Sequence, residues 1–150
     1  MKKIIFLDID GVLNLISQGH DEFGDIFHPH LVENLKHIIE TTGAEIVISS
    51  TWRMNGLSEM QRMWEMRDLP GKVIDVTPYL NTPRGEEIAE WLRENPVDSY
   101  CIIDDDSDML PEQMSNFVKT SENHDHPDKV DYGYGLTKLC AEQVIKILNK

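Results

Sequence analysis

The chain has 150 residues, of which 40% are hydrophobic and 27% are charged. These values are typical of one folded domain over residues 1–150 and exclude a largely disordered chain. Asp and Glu number 27 against 14 Lys and Arg, which gives a formal net charge of −13. Such an excess of acid argues against a protein that coats nucleic acid or binds an anionic membrane, since both need a dominant positive field.

Targeting signals are not expected at the N-terminus. The apolar run Ile4–Leu7 is interrupted by Asp8 and is too short for the core of a signal peptide. No stretch approaches the ~20 apolar residues of a membrane span. Cys101 and Cys140 both fall in apolar patterns and are expected to be small core residues. Two cysteines could form one disulfide, but their number does not indicate a disulfide framework. We therefore expect a cytoplasmic protein without a membrane anchor.

Strands and helices are predicted to alternate along the chain. Continuous apolar runs predict buried strands, with a short edge strand late in the chain, over Lys3–Leu7, Ala44–Ile48, Lys72–Val76, Ser99–Ile103 and Phe117–Val118. Apolar residues at helical spacing predict helices that begin at Pro29 and at Pro83 and that cover Leu57–Leu69 and Leu136–Leu148. This order predicts a three-layer α/β/α sandwich around a mainly parallel, Rossmann-like sheet.

Helix ends and loops are predicted from local residues. Thr82 is the expected N-cap of the helix at Pro83, and Thr137 is the expected cap of the last helix. Leu139 is expected to face the core from that last helix. Residues 11–28 and 120–134 are polar or rich in glycine, so both stretches are predicted to be loops.

Polar clusters directly follow three of the predicted buried strands. These clusters are Asp8-Ile9-Asp10-Gly11, Ser49-Ser50-Thr51 and Asp104-Asp105. In an open α/β sheet, ligands bind outside the carboxyl ends of the strands. We therefore expect the three segments to meet in one crevice.

Four aspartates in one crevice would repel each other unless a cation compensated their charge. An oxygen-only site of this kind suits Mg²⁺, for which the candidate ligands are Asp8, Asp10, Asp104 and Asp105. Asp8 and Asp10 are two residues apart and point the same way from an extended strand end. One of them can attack an electrophile while the other moves protons.

Phosphate is the substrate group that the remaining residues favour. The Ser49 hydroxyl and the backbone amides of Gly11 and Ser50 are candidate donors to phosphate oxygens. A transferring phosphoryl group also needs a cation, for which Arg84 is the leading candidate. Arg53 and Lys72 are its rivals, and Arg53 is retained as a further candidate phosphate ligand.

The ordered set of these segments resembles the four motifs of the haloacid dehalogenase (HAD) superfamily. The matching segments, from motif I to motif IV, are Phe6–Leu13, Ile46–Ser49, Arg84 and Ile102–Asp105. A finer similarity exists to the HAD domain of the Swiss Army Knife RNA repair proteins. It rests on the stretches Ser49–Arg53, Arg84–Leu92 and Gly135–Thr137. The resemblance therefore covers nearly the whole chain and implies a HAD-like fold.

The resemblance implies a phosphatase mechanism for the two aspartates of the first motif. Asp8 would attack phosphorus and form an aspartyl-phosphate. Asp10 would protonate the leaving oxygen and then activate the hydrolytic water. Ser49 and Arg84 would hold the phosphoryl group. An acid at position 10 is typical of the phosphatase and mutase branches.

The resemblance also implies how Mg²⁺ would be held. Its ligands would be the Asp8 carboxylate, the backbone carbonyl of Asp10 and an aspartate of the fourth motif. Asp104 and Asp105 both fit that last position, and Asp108 fits a more distal one. A phosphoacceptor signalling module and a non-catalytic phosphate-binding protein are the alternative functions.

The expected substrate follows from the space around the site. The resemblance implies that a cap domain, which usually covers the site of members with small substrates, would be inserted after the first motif or between the second and third. The segments 11–48 and 52–83 are too short to hold a sizeable one, so an open site is predicted. An open site admits a phosphorylated small molecule or the phosphorylated end of a nucleic acid. The net charge of −13 argues against tight binding of a longer polynucleotide.

Overall fold

A computed structural model describes residues 2–15, 19–120 and 135–150. Its strands are β1 (Lys3–Leu7), β2 (His20–Asp21), β3 (Gly24–Asp25), β4 (Glu45–Ile48), β5 (Val73–Val76), β6 (Ser99–Asp104) and β7 (Phe117–Lys119). Its α-helices are α1 (Pro29–Thr42), α2 (Leu57–Met66), α3 (Arg84–Glu94) and α4 (Lys138–Leu148). Two 3₁₀ helices cover Thr51–Asn55 and Pro111–Asn116.

Five strands form one parallel sheet in the order β5-β4-β1-β6-β7. From β1 the chain builds outward through β4 to β5, and it then returns to place β6 on the other side of β1. The order therefore reverses between β1 and β6. Such a switch point opens a crevice at the carboxyl ends of the two strands, which is where ligands bind in open α/β sheets.

Side chains of β1 alternate between the two faces of the sheet, which gives the domain three layers. Ile5 and Leu7 pack in the larger apolar core, to which α1, α2 and α4 contribute. Ile4 and Phe6 lie in the smaller core on the opposite face, where α3 packs. All four side chains are fully buried. The predicted α/β/α sandwich with its parallel sheet is confirmed.

A small antiparallel ribbon replaces part of the predicted loop over residues 11–28. Strands β2 and β3 pair His20 with Asp25 and Asp21 with Gly24. Two-residue strands leave no alternating pattern in a sequence, so this hairpin was not predicted. The expected loop at 120–134 falls almost entirely on residues 121–134, which lie outside the described residues.

The caps of two helices were predicted from sequence, with different outcomes. Thr137 caps α4 by accepting a hydrogen bond from the Cys140 backbone N–H at 3.1 Å, as predicted. Thr82 is not the cap of α3, because that helix begins at Arg84. The Arg84 backbone N–H instead donates to the Asp108 carboxylate at 2.9 Å. An aspartate from a distant loop therefore satisfies the first turn of α3.

Three further expectations concern the exposure of Leu139, the two cysteines and membrane-spanning helices. Leu139 is 70% exposed, so the prediction that it faces the core is wrong. Cys101 is buried, as expected, whereas Cys140 is only half-buried, and the two form no disulfide with each other. Among the described residues, no helix has both the length and the apolar character to cross a membrane.

Candidate active site

The site lies where β1 and β6 end side by side. The Asp8 backbone N–H donates to the Ile103 carbonyl at 3.0 Å, so the chain leaves β1 still aligned with β6. Asp104 is the last residue of β6, and Asp105 follows it. Carboxylate oxygens of Asp8, Asp104 and Asp105 all lie within 4.8 Å of one another. The parallel strands thus bring the first and fourth motifs together.

Among the described residues, the guanidinium of Arg84 is the one that contacts this acidic cluster. Arg84 Nη1 lies 3.0 Å from Asp104 Oδ2 and 3.4 Å from Asp8 Oδ1. Burial disfavours the charge of Arg84, but the attraction of Asp104 and Asp8 outweighs it and raises the pKa of the side chain. Within the part of the chain that the structure describes, one positive charge therefore faces three carboxyl groups, two of which are almost completely buried.

Burial, together with this imbalance of charge, raises the pKa of both buried carboxyl groups. Burial raises the pKa of Asp8 from 3.8 to about 9, with a further rise from Asp104 that Arg84 only partly opposes. Burial also raises the pKa of Asp104 from 3.8 to about 6, against the hydrogen bond from the Asp106 N–H. Without further positive charge, the cluster binds protons in place of a cation.

The donor set fits a magnesium ion. It consists of carboxylate oxygens alone, of which those of Asp105 belong to a half-buried side chain. Gly11 makes room for the Asp105 carboxylate, because a Cβ at position 11 would lie 2.2 Å from Asp105 Oδ2. Mg²⁺ prefers such hard oxygen ligands and keeps several waters. The side chains of Asp8, Asp104 and Asp105 would hold the ion.

The segment after β4 brings Ser49 and Ser50 to the same edge of the sheet. The Ser49 backbone N–H donates to the Leu7 carbonyl at 3.0 Å, next to Asp8. Its hydroxyl is fully buried and has no hydrogen-bond partner among the described residues. Ser50 caps the first 3₁₀ helix by accepting from the Trp52 N–H at 3.2 Å. A buried, unpartnered hydroxyl beside Asp8 is suited to an incoming polar group.

Gly11 contributes space, and its amide is already engaged. The Gly11 N–H donates to the Asn14 carbonyl at 2.9 Å, so this amide is not available to phosphate in this conformation. The Gly11 carbonyl accepts from the Thr120 hydroxyl at 2.8 Å. Both bonds fix the turn after Asp8.

Arg53 is a buried structural cation. Its Nη2 lies 2.8 Å from Glu87 Oε1, and both side chains are almost completely buried. Its Nη1 donates to the carbonyls of Ser49 at 3.1 Å and Ser50 at 2.9 Å. Arg53 therefore ties α3 to the turn that carries Ser49.

The three candidate cations occupy different places. Arg84 contacts the acidic cluster, whereas Arg53 lies beneath the serine turn, paired with Glu87. Lys72 precedes β5 and so lies at the amino edge of the sheet, opposite Asp8. The structure therefore brings only the first of these candidates into contact with the cluster.

Asp10, expected as a fourth carboxylate, is two residues beyond Asp8 and is exposed, and its side chain does not belong to the cluster of Asp8, Asp104 and Asp105. Its Oδ1 accepts a hydrogen bond from Trp52 Nε1 at 3.1 Å. Asp108 is expected as a distal metal ligand, but its Oδ2 accepts a hydrogen bond from the Arg84 backbone N–H.

Sequence reasoning missed Glu87 and the Trp52 contact. A usable signal existed for Glu87, since it shares the apolar stripe of α3 with Ile88 and Trp91. A carboxylate on a buried stripe needs a cationic partner. No pattern indicated the indole contact to Asp10, because Trp52 is 42 positions away.

The fold and the strand-end aspartates together define an α/β domain of the HAD type. A family model described as the HAD domain in Swiss Army Knife RNA repair proteins matches residues 4–124. The chain therefore belongs to this family of HAD domains. No curated protein matches the chain. HAD domains are generally hydrolases or phosphatases. The described residues include no large cap domain over the carboxyl edge of the sheet.

Magnesium is expected to stabilise the protein more as the pH rises. The raised pKa values mean that neutral carboxyls stabilise the metal-free fold at low pH, and this contribution is lost as the pH rises through about 6 and then about 9. Mg²⁺ needs the ionised groups. We expect saturating Mg²⁺ to raise the melting temperature by roughly 5–10 °C at about pH 8.5, and by much less at about pH 5.

Two variants control this melting experiment. Asp104→Asn removes a buried member of the cluster and should abolish most of the Mg²⁺-dependent rise. Asp106→Asn changes an exposed neighbour outside the cluster and should retain it. An equal rise at both pH values, or a full rise in Asp104→Asn, would contradict the proposed metal site.

Breaking the buried ion pair is expected to destabilise the fold. Glu87→Gln leaves the Arg53 charge buried without its partner, which should lower the free energy of unfolding by about 3–5 kcal/mol. Urea denaturation followed by tryptophan fluorescence measures this loss. Glu86→Gln, on the exposed side of the same turn, is the matched control and should change stability by less than about 0.5 kcal/mol. Equal free energies of unfolding for the two variants would show that the Arg53–Glu87 pair does not stabilise the fold.

Proposed function

We propose that this protein is a Mg²⁺-dependent phosphohydrolase that works through an aspartyl-phosphate on Asp8. The observation that carries the proposal is the three-carboxylate cluster facing Arg84, next to the unpartnered Ser49 hydroxyl. Anionic oxygens, a guanidinium and a free hydroxyl donor are the groups that phosphoryl transfer requires. Membership in the HAD family supports the same chemistry.

The metal site would neutralise the carboxylates and the charge of the transferring phosphoryl group. Asp8, Asp104 and Asp105 would hold Mg²⁺ through their side chains, and Asp10 through its backbone carbonyl. A divalent cation here would favour the ionised form of Asp8 and so oppose the burial and the Asp104 repulsion that raise its pKa. The ionised Asp8 is then available as a nucleophile.

The protein side chains divide the remaining work. Asp8 attacks phosphorus, and the bond from phosphorus to the leaving oxygen breaks. Asp10 gives that oxygen a proton and later takes one from the water that attacks the aspartyl-phosphate. Ser49 and Arg84 hold the nonbridging phosphate oxygens, assisted by the backbone N–H of Ser50.

Arg53 acts on this chemistry indirectly in our proposal. Its guanidinium is buried against Glu87 and the carbonyls of Ser49 and Ser50. It therefore holds the serine turn in place, and direct phosphate contact is left to Arg84.

We further propose terminal phosphates of nucleotides or nucleic acids as the substrate class. The carboxyl edge of the described sheet is not covered by a large cap domain, and the family description places related domains in RNA repair proteins. The net charge of −13 opposes a long polynucleotide track. Recognition would therefore centre on the phosphate and the terminal nucleotide.

Phosphate release with and without Asp8 tests the proposed reaction. Wild type with Mg²⁺ is expected to hydrolyse p-nitrophenyl phosphate, and Asp8→Asn should lower kcat/KM by at least about 10³-fold because it removes the nucleophile. Asp106→Asn should keep its activity, since that side chain lies outside the cluster. Equal rates for wild type and Asp8→Asn would contradict the mechanism.

Substrate class is tested by a panel in the same assay. The panel contains mononucleotides, 5′- and 3′-phosphorylated oligonucleotides, sugar phosphates and phosphopeptides. We expect nucleotides and oligonucleotides to be preferred, with a weak dependence on salt and on oligonucleotide length. A preference for sugar phosphates or phosphopeptides would exclude the nucleic-acid assignment and leave the phosphatase assignment standing. A stable phosphoprotein without turnover would favour the signalling module.

A further inference from the structure

The side chain of Asp10 is held by a tryptophan from a different motif. Trp52 Nε1 donates to Asp10 Oδ1 at 3.1 Å. Trp52 belongs to the 3₁₀ helix Thr51–Asn55, directly after Ser49 and Ser50. Because Asp10 is exposed, this bond restrains a carboxylate that would otherwise sample several rotamers.

The indole itself is fixed by its surroundings. Its ring packs against Phe27 with centroids 5.5 Å apart, and Phe27 is buried. Gly24 of the β2–β3 hairpin lies close to the ring, so that a Cβ at this position would come within 3.2 Å of it. The Trp52 backbone N–H is bound to the Ser50 hydroxyl. The indole therefore has little freedom to turn away from Asp10.

Arg67, which follows α2, holds the hairpin in turn. Its Nε and Nη2 lie 2.9 and 2.7 Å from the two carboxylate oxygens of Asp21. Its Nη2 also donates to the Gly24 carbonyl at 3.0 Å. The guanidinium carbon lies 4.9 Å from the Phe27 ring centroid. A bidentate ion pair such as Arg67–Asp21 has a specific geometry, so it fixes the β2–β3 hairpin to α2.

We propose that Trp52 is a positioning residue for Asp10, held in place by the hairpin and Arg67. The inference rests on the proposed function, because it concerns the proton transfers assigned to Asp10. The Trp52 indole N–H is hydrogen-bonded to Asp10 Oδ1, which leaves Asp10 Oδ2 to face the leaving oxygen. A correctly placed proton donor contributes to the rate only if its geometry is maintained.

The same contact serves both halves of the reaction. In the first half, Asp10 gives its Oδ2 proton to the leaving oxygen as the phosphorus–oxygen bond breaks and Asp8 becomes phosphorylated. In the second half, Oδ2 takes a proton from water as the water oxygen attacks phosphorus and Asp8 is released. The indole N–H donates to Oδ1 throughout, so one carboxylate orientation suits both steps.

Replacing the indole tests the proposal through its dependence on the leaving group. Trp52→Phe removes the N–H donor and keeps an aromatic ring. With an alkyl phosphate such as glycerol phosphate, whose leaving oxygen needs a proton, kcat/KM should fall by roughly 10–100-fold. With p-nitrophenyl phosphate, whose leaving group needs none, it should fall by less than about threefold. The parameter kcat/KM reports steps up to loss of the leaving group, so later hydrolysis does not enter.

Trp64→Phe is the matched control. It removes another indole N–H, donated to the Pro70 carbonyl at 2.8 Å, from the same apolar core. Its ratio of activities on the two substrates should equal that of wild type. An equal fall on both substrates in Trp52→Phe, or no fall on either, would overturn the positioning role. Absence of Asp8-dependent turnover in wild type would instead refute the proposed function.

A second measurement keeps Trp52 in place and does not depend on activity. The indole N–H resonance of Trp52 should move upfield in Asp10→Ala, because its acceptor is lost, and less in Asp10→Asn, which keeps an acceptor. The indole N–H resonances of Trp64 and Trp91, which donate to the Pro70 carbonyl and to the Asp75 carboxylate, should keep their chemical shifts. A Trp52 resonance that is unchanged in Asp10→Ala would overturn the contact.

Discussion

The repulsion among three carboxyl groups at the ends of β1 and β6 is the constraint on which the rest of the site depends. Asp8 and Asp104 are almost completely buried, and Arg84 is the one guanidinium that touches them among the described residues. The free energy of the folded state therefore favours either protons or a metal ion in this cluster. Gly11 leaves space for the Asp105 side chain, because a Cβ at position 11 would lie 2.2 Å from Asp105 Oδ2.

Placement of Arg84 requires structure on both sides of α3. Asp108 caps the first turn, and Gln113 donates to the Gly85 carbonyl at 2.8 Å while accepting from the Leu110 N–H at 2.9 Å. Gly85 has no room for a Cβ against these groups. Deeper in the helix, Glu87 reaches Arg53 and the Leu80 N–H. The helix α3 thereby positions Arg84 at the acidic cluster and, through the pair of Glu87 with Arg53, supports the serine turn.

Much of this arrangement could be predicted from the sequence, because it rests on local patterns. Uninterrupted apolar runs identified the parallel strands, and the residues after them identified Asp8, Ser49 and Asp104 as neighbours. These predictions depend only on periodicity and on the rule that parallel strands end at one edge.

The features that could not be predicted involve partners distant in sequence. The cap of α3 was assigned to Thr82, whereas Asp108 supplies it across 24 positions. Arg53 was retained as a further candidate phosphate ligand, and its pairing with Glu87 was missed because the partner lies 34 positions away, although the place of Glu87 on the apolar stripe of α3 was a usable signal. The short hairpin and its link to Trp52 likewise depend on tertiary packing that has no sequence period.

Covalent capture of the intermediate tests the central claim most directly. The acyl bond of an aspartyl-phosphate is reduced by borohydride, which converts the aspartate to homoserine and releases phosphate. Wild-type protein quenched with borohydride during turnover should yield homoserine at position 8 on peptide mapping, and Asp8→Asn should yield none. Phosphate release without homoserine at this position, or with homoserine elsewhere, would contradict the assignment of Asp8 as the nucleophile.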